Sequence, residues 1–340
     1  MKQNISFFII IFLIYSCDKN KDIEITSKQK IDIEQYTISK DSIIKQNKDK
    51  RQFVESPKLI KKINLSNLEI YRPYVYKCNN GYLYIFDYSS FKIHKINLEY
   101  FKEVDVFGSG KGRGPGEFIN VNDIIFDKKN IYISDGRKRT IEVYTKKGDY
   151  VRNIKTNKAY PHRVMIYKNQ IVIYNLFDLI NPLYVYNKKG DFIKKTGGPL
   201  FDKELDNYYY YESNIIKTSN NSFLQIPRIL GLIVSYKNFE INLVKETIDG
   251  RQDPKHRGKP TLETAANSKI NDNNLILYRD NRKTQTKSDQ FFDIYNNNSL
   301  EYKYSFKIDK NIVYFNIHNN LLICTDDKLD FIYVYNIENL

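Results

Sequence analysis

Residues 108–154 read GSGKGRGPGEFINVNDIIFDKKNIYISDGRKRTIEVYTKKGDYVRNI. From Val121 onward this stretch parses into four short runs, VNDIIF, NIYISD, TIEVY and YVRNI, each apolar or alternating. The breaks between them are rich in Asp, Lys, Asn and Gly, which is turn chemistry. Four strands joined by tight turns predict one antiparallel meander. The glycines at 108, 110, 112, 114 and 116 precede its first strand. They fit neither G-x-G-x-x-G nor G-x-x-x-x-G-K-[ST]. A strand follows them rather than a helix, so no helix N-terminus is on hand for a phosphate. The run reads as a backbone crossing that uses positive φ values. An anion-binding nest with Lys111 and Arg113 is the alternative.

The same grammar recurs along the chain. Paired strands with an Asn, Asp or Gly turn read at 74–87, 164–175, 213–227, 268–280 and 313–326. A third strand follows each, and Ile96, Tyr144, Tyr186, Tyr236, Tyr295 and Tyr335 occupy equivalent places in these third strands. Their mean spacing is about 48 residues, in the range of propeller blades. Six copies predict an all-β, six-bladed β-propeller of four-stranded antiparallel blades over residues 57–340. The last copy lacks a fourth strand, while the strand-like SPKLIKKINL, Ser56 to Leu65, is unassigned. Pairing 58–64 with 331–336 would close the ring and remove an open edge.

With these residues in view, the chain resembles the NHL repeat. The matching positions are Gly112, Gly114, Pro115, Gly116, Glu117 and Phe118, then Ile131, Tyr132, Ile133 and Asp135, then Ile141, Val143, Tyr144 and Gly148. The resemblance implies a bacterial propeller lipoprotein of the NHL-like or TolB-like type. Such propellers serve as protein-binding modules, RNA-binding modules, lyases and lactonases, so the resemblance implies a fold and leaves the activity open.

The N-terminus, MKQNISFFIIIFLIYSC, has one lysine, an apolar run from Ile5 to Ile14, and Ser16 before Cys17. That run spans about 15 Å as helix, half of the ~30 Å hydrocarbon core. It reads as the core of a signal peptide, residues 1–17, and Ile14-Tyr15-Ser16-Cys17 resembles a lipobox with Cys17 as the lipidated residue. An ordinary signal peptide, or a short anchor left in place, is the alternative. Residues 18–56 are charged and aromatic-poor and read as a flexible polar tether. The chain is then expected in the cell envelope, anchored on the periplasmic or outer-membrane side and monomeric. Its 340 residues carry a formal charge of +14, but no basic block, and the lysines read as keeping strand edges soluble. Nucleic acid is not an expected partner of an exported domain. Cys78 and Cys324 sit in apolar strand patterns and read as buried, inert thiols.

No cofactor or metal site is legible. His94, His162, His256 and His318 are isolated, with His94 expected on a strand surface. Asp87, Asp135, Asp280 and Asp326 close second strands, either as calcium ligands or as caps of their own turns. Crossings and second-to-third-strand loops share one face of a propeller, around the channel mouth. The candidates for ligand contacts there are Arg72, Asn122, His162, Arg163, Tyr210, Glu212, Arg228 and Arg279. The arginines suit carboxylate or sulfate groups of a peptide or glycan, or are solvated turn residues. Tyr210 lies in NYYYYES, 207–213, whose tyrosines suit recognition or packing beneath a crossing. The polar break at 249–269 reads as a lid or as disorder. Two functions follow from the same face. One is a non-enzymatic binding or scaffold module for a protein or glycan ligand. The other is a hydrolase or lyase at the channel mouth.

Overall fold

The structure, a computed structural model, describes residues 42–47, 50–178, 180–198, 212–251, 262–271, 273–281 and 290–338. Its strands form six sheets in chain order, a six-bladed β-propeller. Blade 1 holds Pro73–Asn79, Tyr82–Asp87, Lys92–Asn97 and Lys102–Phe107, from the channel outward. Blade 2 holds Val121–Phe126, Asn130–Asp135, Thr140–Thr145 and Tyr150–Lys155. Blade 3 holds Arg163–Tyr167, Gln170–Tyr174, Leu183–Tyr186 and Phe192–Thr196. Blade 4 runs from Ser213–Lys217 through Ser222–Pro227 and Leu232–Lys237 to Glu240–Glu246. Blade 5 holds Leu262–Asn271, Asn274–Asn281, Phe291–Asn296 and Tyr302–Phe306. Blade 6 takes Ile312–His318, Leu321–Asp326 and Phe331–Asn336 from the C-terminal end.

The fourth strand of blade 6 is Lys58–Asn64, paired antiparallel from Lys58↔Asn336 to Asn64↔Phe331. This is the closure that the unassigned SPKLIKKINL run predicts. It joins the two ends of the propeller by a ladder of backbone hydrogen bonds and covers the edge that Phe331–Asn336 would otherwise leave open.

Apolar residues of adjacent blades meet in six clusters, one at each blade-to-blade contact. Blades 1 and 2 meet at Val75, Phe86, Ile124 and Tyr144, and blades 6 and 1 at Ile323, Val334, Tyr76 and Leu83. Tyr and Phe fill this ring, and the largest fully buried side chains are all of these two types. The repeated third-strand positions also share a backbone device. Ile96, Tyr144, Tyr186, Tyr236, Tyr295 and Tyr335 each sit at a register shift between third and fourth strands. A bulge there sharpens the twist that wedge-shaped blades require. Three of the tyrosines also tie down the preceding crossing. Tyr144 and Tyr236 donate to the Gly116 and Gly197 carbonyls at 2.8 and 2.9 Å, and the Ile248 amide donates to Tyr295 at 3.0 Å.

Two stretches differ from their sequence reading. The 249–269 break is shorter than expected, since the inner strand of blade 5 begins at Leu262. Its sequence, LETAANSKIN, is mostly small and polar and carries no period-2 signal. The described end of the expected tether is not solvated chain. Ile43–Ile44 adds a fifth, parallel strand to blade 4, and Gln46 hydrogen-bonds to Glu246 of blade 4 and Leu300 of blade 5. The Val54 amide then donates to Ser305 O on the outer strand of blade 5 at 2.9 Å. Residues 43–46 and 51–54 thus strap the outer edges of blades 4 and 5 before the chain enters blade 6. Among the described residues, no helix is long and apolar enough to cross a membrane.

Candidate ligand-binding face at the channel mouth

The glycine run makes the first crossing onto this face. Gly108, Gly110 and Gly116 have φ values of 107°, 98° and 73°, and a Cβ on Gly108 would lie 2.7 Å from the Phe118 ring. Phe118 is fully buried between blades 1 and 2, so the loop folds back over its own anchor. Several of its amides are used internally. Ser109 N donates to Gly116 O, Gly112 N to Phe118 O and Phe118 N to Gly110 O, while Gly114 N donates to Glu117 Oε2 at 2.6 Å. A run with these amides occupied is not an anion nest, and the crossing reading stands.

Two of the four aspartates that close second strands cap adjoining loops, while Asp280 accepts the Gln290 side-chain amide and Asp326 the Tyr333 hydroxyl. Asp87 accepts the Arg72, Ser89 and Ser90 amides, and Asp135 accepts those of Ile119, Asn120 and Lys138. Among the described residues, no group of three or more His, Cys, Asp or Glu is placed to hold a metal ion.

Four of the eight candidates converge. Glu212, at the entry to blade 4, puts Oε1 2.8 Å from Arg228 NH1, 3.4 Å from His162 Nε2 and 3.7 Å from Arg163 NH2. Burial pushes the Glu212 carboxyl up, but His162, Arg228 and Arg163 outweigh it and hold it well below the ordinary range. His162 is held below the usual histidine value by burial and by Arg163, against the pull of Glu212. Asn122 joins the group through its backbone, since Arg163 NH1 donates to Asn122 O at 3.1 Å, and its Nδ2 donates to Pro161 O. Four of these residues come from the entries of three consecutive blades and Arg228 from the second-to-third-strand loop of blade 4, on the same face, which explains why they meet.

Two of the other candidates lie elsewhere. Arg72 is exposed at the entry to blade 1, where its amide donates to Asp87. Arg279 belongs to blade 5 and contacts Asp249 at 3.2 Å, with its guanidinium 4.8 Å from the Phe291 ring centre. Tyr210 is outside the described residues. His94 corrects its surface reading. It is buried in the third strand of blade 1, with Nδ1 against Glu103 of the fourth. His318 lies at the far end of its strand, lining a groove of about 450 Å³ with Asn80, Asn97 and Asn319. It shares no site with His162.

Sequence reasoning missed the aromatic wall facing the Glu212 group. Tyr74, Tyr88 and Tyr314 pack edge to face, with ring centres 5.1 Å apart for Tyr74–Tyr88 and 6.1 Å for Tyr74–Tyr314. Tyr88 donates to Asn120 Oδ1, and Asn120 Nδ2 donates to Tyr160, which packs on the exposed Phe177. Tyr314, on the inner strand of blade 6, feels the Arg163 and Arg228 charges from blades 3 and 4. Tyr74 keeps 41% of its surface exposed, so part of the wall is open to a ligand. The available signal was tyrosine at the start of inner strands, in RPYVY and IVYF.

No family model matches the chain, and no curated protein matches it in sequence. The fold has solved counterparts. A "putative exported protein" from Bacteroides fragilis is 12% identical, with a TM-score of 0.58 over 86% of this chain and 98% of that one. A member of the DUF4221 family from Bacteroides vulgatus is also 12% identical, with a TM-score of 0.60 over 84% and 98%. Virginiamycin B lyase from Staphylococcus aureus is 13% identical, with a TM-score of 0.51 over 81% and 98%. At these identities the likeness is one of fold alone.

Proposed function

We propose that the chain is an extracytoplasmic propeller, lipid-anchored through Cys17, whose channel mouth binds an acidic protein or glycan ligand without chemical turnover. The observation that carries this reading is the convergence of Arg163 and Arg228 on Glu212 beside the tyrosine wall. Arginine forks recognise carboxylates and sulfates in two-point fashion, and tyrosines add rigid contact area with a polar tip. Glu212 holds the guanidiniums in place until a ligand anion competes for them. The signal-like N-terminus and the fold shared with a protein described as exported support the location.

The test uses the Cys17→Ser form as bait on intact cells, beside the same form carrying Arg163→Ala and Arg228→Ala. Capture of one acidic partner by the parent and its loss from the double variant is the expected result. Equal capture by both forms would remove the mouth from the reading.

A further inference from the structure

Below the mouth, the inner strands carry charges that the Glu212 group does not use. Lys77 of blade 1 places Nζ 2.8 Å from Asp123 Oδ1 of blade 2. Asp123 is 4% exposed, and its Oδ2 accepts the Val164 amide of blade 3 at 3.0 Å. Three blades are thus stitched by one carboxylate. Burial raises the Asp123 carboxyl, but Lys77, Arg163 and the Val164 amide outweigh it and keep it ionised.

Lys269, on the inner strand of blade 5, enters the same space. It feels Lys77 and Cys78 from blade 1, Asp123 from blade 2 and Arg163 from blade 3. Among the described residues, its ammonium has no ion-pair or hydrogen-bond partner. Lys77 thus occupies the one carboxylate, while the charges of Lys269 and Arg163 act on the same space. Arg163 does not restore the balance, because Glu212 is 3.7 Å from it and is closer to Arg228. Asn214 Nδ2 and Ser268 Oγ, on the inner strands of blades 4 and 5, are also buried and have no partner among the described residues.

Lys269 is half-buried, and a recessed ammonium lacking a counter-ion is unfavourable, so it can either lose its proton or acquire an anion. Burial first, and Lys77 second, push Lys269 down to about 7. Near neutral pH it stands midway between those two outcomes, so an arriving anion would hold the proton on.

We propose that the channel holds the oxyanion group of a small ligand, a phosphate or a carboxylate, between Lys77, Lys269 and Arg163. Asp123 orients Lys77 and leaves the outer two cations for the ligand. The site is separate from the macromolecular reading of the mouth, with which it shares only Arg163. For that reason the variants that test it avoid Arg163.

The experiment is calorimetric titration of the detergent-purified full chain with sulfate, inorganic phosphate and acetate at pH 6.0 and 8.5. Sulfate keeps its charge across that range, so its pH dependence reports the protein alone. Saturable sulfate binding should weaken about tenfold or more at the higher pH, as Lys269 loses its proton. Lys269→Gln and Lys77→Gln should each weaken binding at pH 6.0 by about tenfold, while the exposed Lys147→Gln should not. Lys269→Arg, should the glutamine variant fail to fold, keeps its charge at pH 8.5 and should bind sulfate equally at both pH values. Tighter phosphate than acetate would identify a phosphate ligand, and the reverse a carboxylate. The proposal is overturned if none of the three ions binds saturably, or if Lys269→Gln or Lys269→Arg titrates as the parent does.

Discussion

The Lys138 ammonium lies 2.8 Å from Glu142 Oε1 and also donates to Gly114 O at 3.1 Å and Glu117 O at 2.7 Å. All three of its protons are used, and neither partner of the ion pair is more than 4% exposed. The contact binds the glycine crossing to the second-to-third-strand loop of blade 2, so the crossing is held by side-chain chemistry as well as by its own amides. Lys138→Met would strand a buried carboxylate and two carbonyls. A loss of about 3–5 kcal/mol in urea unfolding is expected, with most of it recovered when Glu142→Leu is added. A single-variant loss below about 1 kcal/mol, the level of a surface pair, would show that water reaches Glu142.

Asp127 supplies a pH signature. Its Oδ1 accepts the Lys129 and Asn130 amides at 2.8 and 2.7 Å, and its Oδ2 accepts the Tyr132 hydroxyl at 2.8 Å and meets Lys188 of blade 3. Burial acts to raise this carboxyl, but Lys188 and the two amides bring it down to about 2 from 3.8. A depressed folded-state value means stability that is present above about pH 4 and is lost as pH falls through about 2. The difference corresponds to about 2 kcal/mol. Asp127→Asn should therefore be less stable than the parent by about that amount at pH 6 and nearly equal to it at pH 2. A gap that stayed constant across that range would assign the loss to the amide substitution itself.

Much of the fold was legible because it rests on local signals repeated six times. Period-2 runs and Asn or Gly turns recur with the blade, a tyrosine holds one third-strand position in five blades of the six, and a missing fourth strand marks the closure. What escaped was non-local or weakly patterned. Leu262–Asn271 lacks alternation because it is mostly small and polar. His94 reads as a surface residue until Glu103, from the neighbouring strand, supplies its partner. Glu212 is 50 residues from His162 and 16 from Arg228, and only the ring arrangement brings them together. Lys138 and Glu142 are four apart, a spacing that a strand reading gives no reason to pair.

The strap offers a third test. Arg51 grips Asp293 with two bonds of 3.0 and 2.9 Å, and NH2 also reaches Asp249 at 2.5 Å. Its guanidinium sits 4.4 Å from the Phe291 ring centre, and Phe53 packs edge-on to the same ring. Asp293 is 1% exposed, and burial, outweighing the pull of Arg51, raises its carboxyl above the ordinary value. Arg51→Ala should cost about 3–5 kcal/mol at neutral pH, and less in acid, where protonation removes the stranded charge. Residues 43–54 should then exchange amide hydrogens far faster than blades 1–3. Arg51→Lys, which cannot form the two-point contact, should recover less than half of the loss. Unchanged exchange in Arg51→Ala would mean that the Ile43–Ile44 pairing and Phe53 hold the strap without it.

Thiol chemistry tests the core and the anchor together. Cys78 and Cys324 are both free, the first half-buried and the second buried. Burial pushes the Cys78 thiol up to about 12, against the opposite pull of Lys269 and Lys77, and lifts Cys324 well above its usual value. The thiolate is the reactive form, so at pH 8 only about one Cys78 in 10⁴ is poised to react. N-ethylmaleimide should leave the native chain unlabelled over an hour. In guanidinium the count should rise to two for a chain whose Cys17 sulfur carries lipid, and the intact mass should include the acyl groups. Three labels on the unfolded membrane-bound chain would show a free Cys17 thiol and end the lipid-anchor proposal. Rapid native labelling at Cys78 would show that the inner strand of blade 1 opens, and with it the enclosure that depresses Lys269.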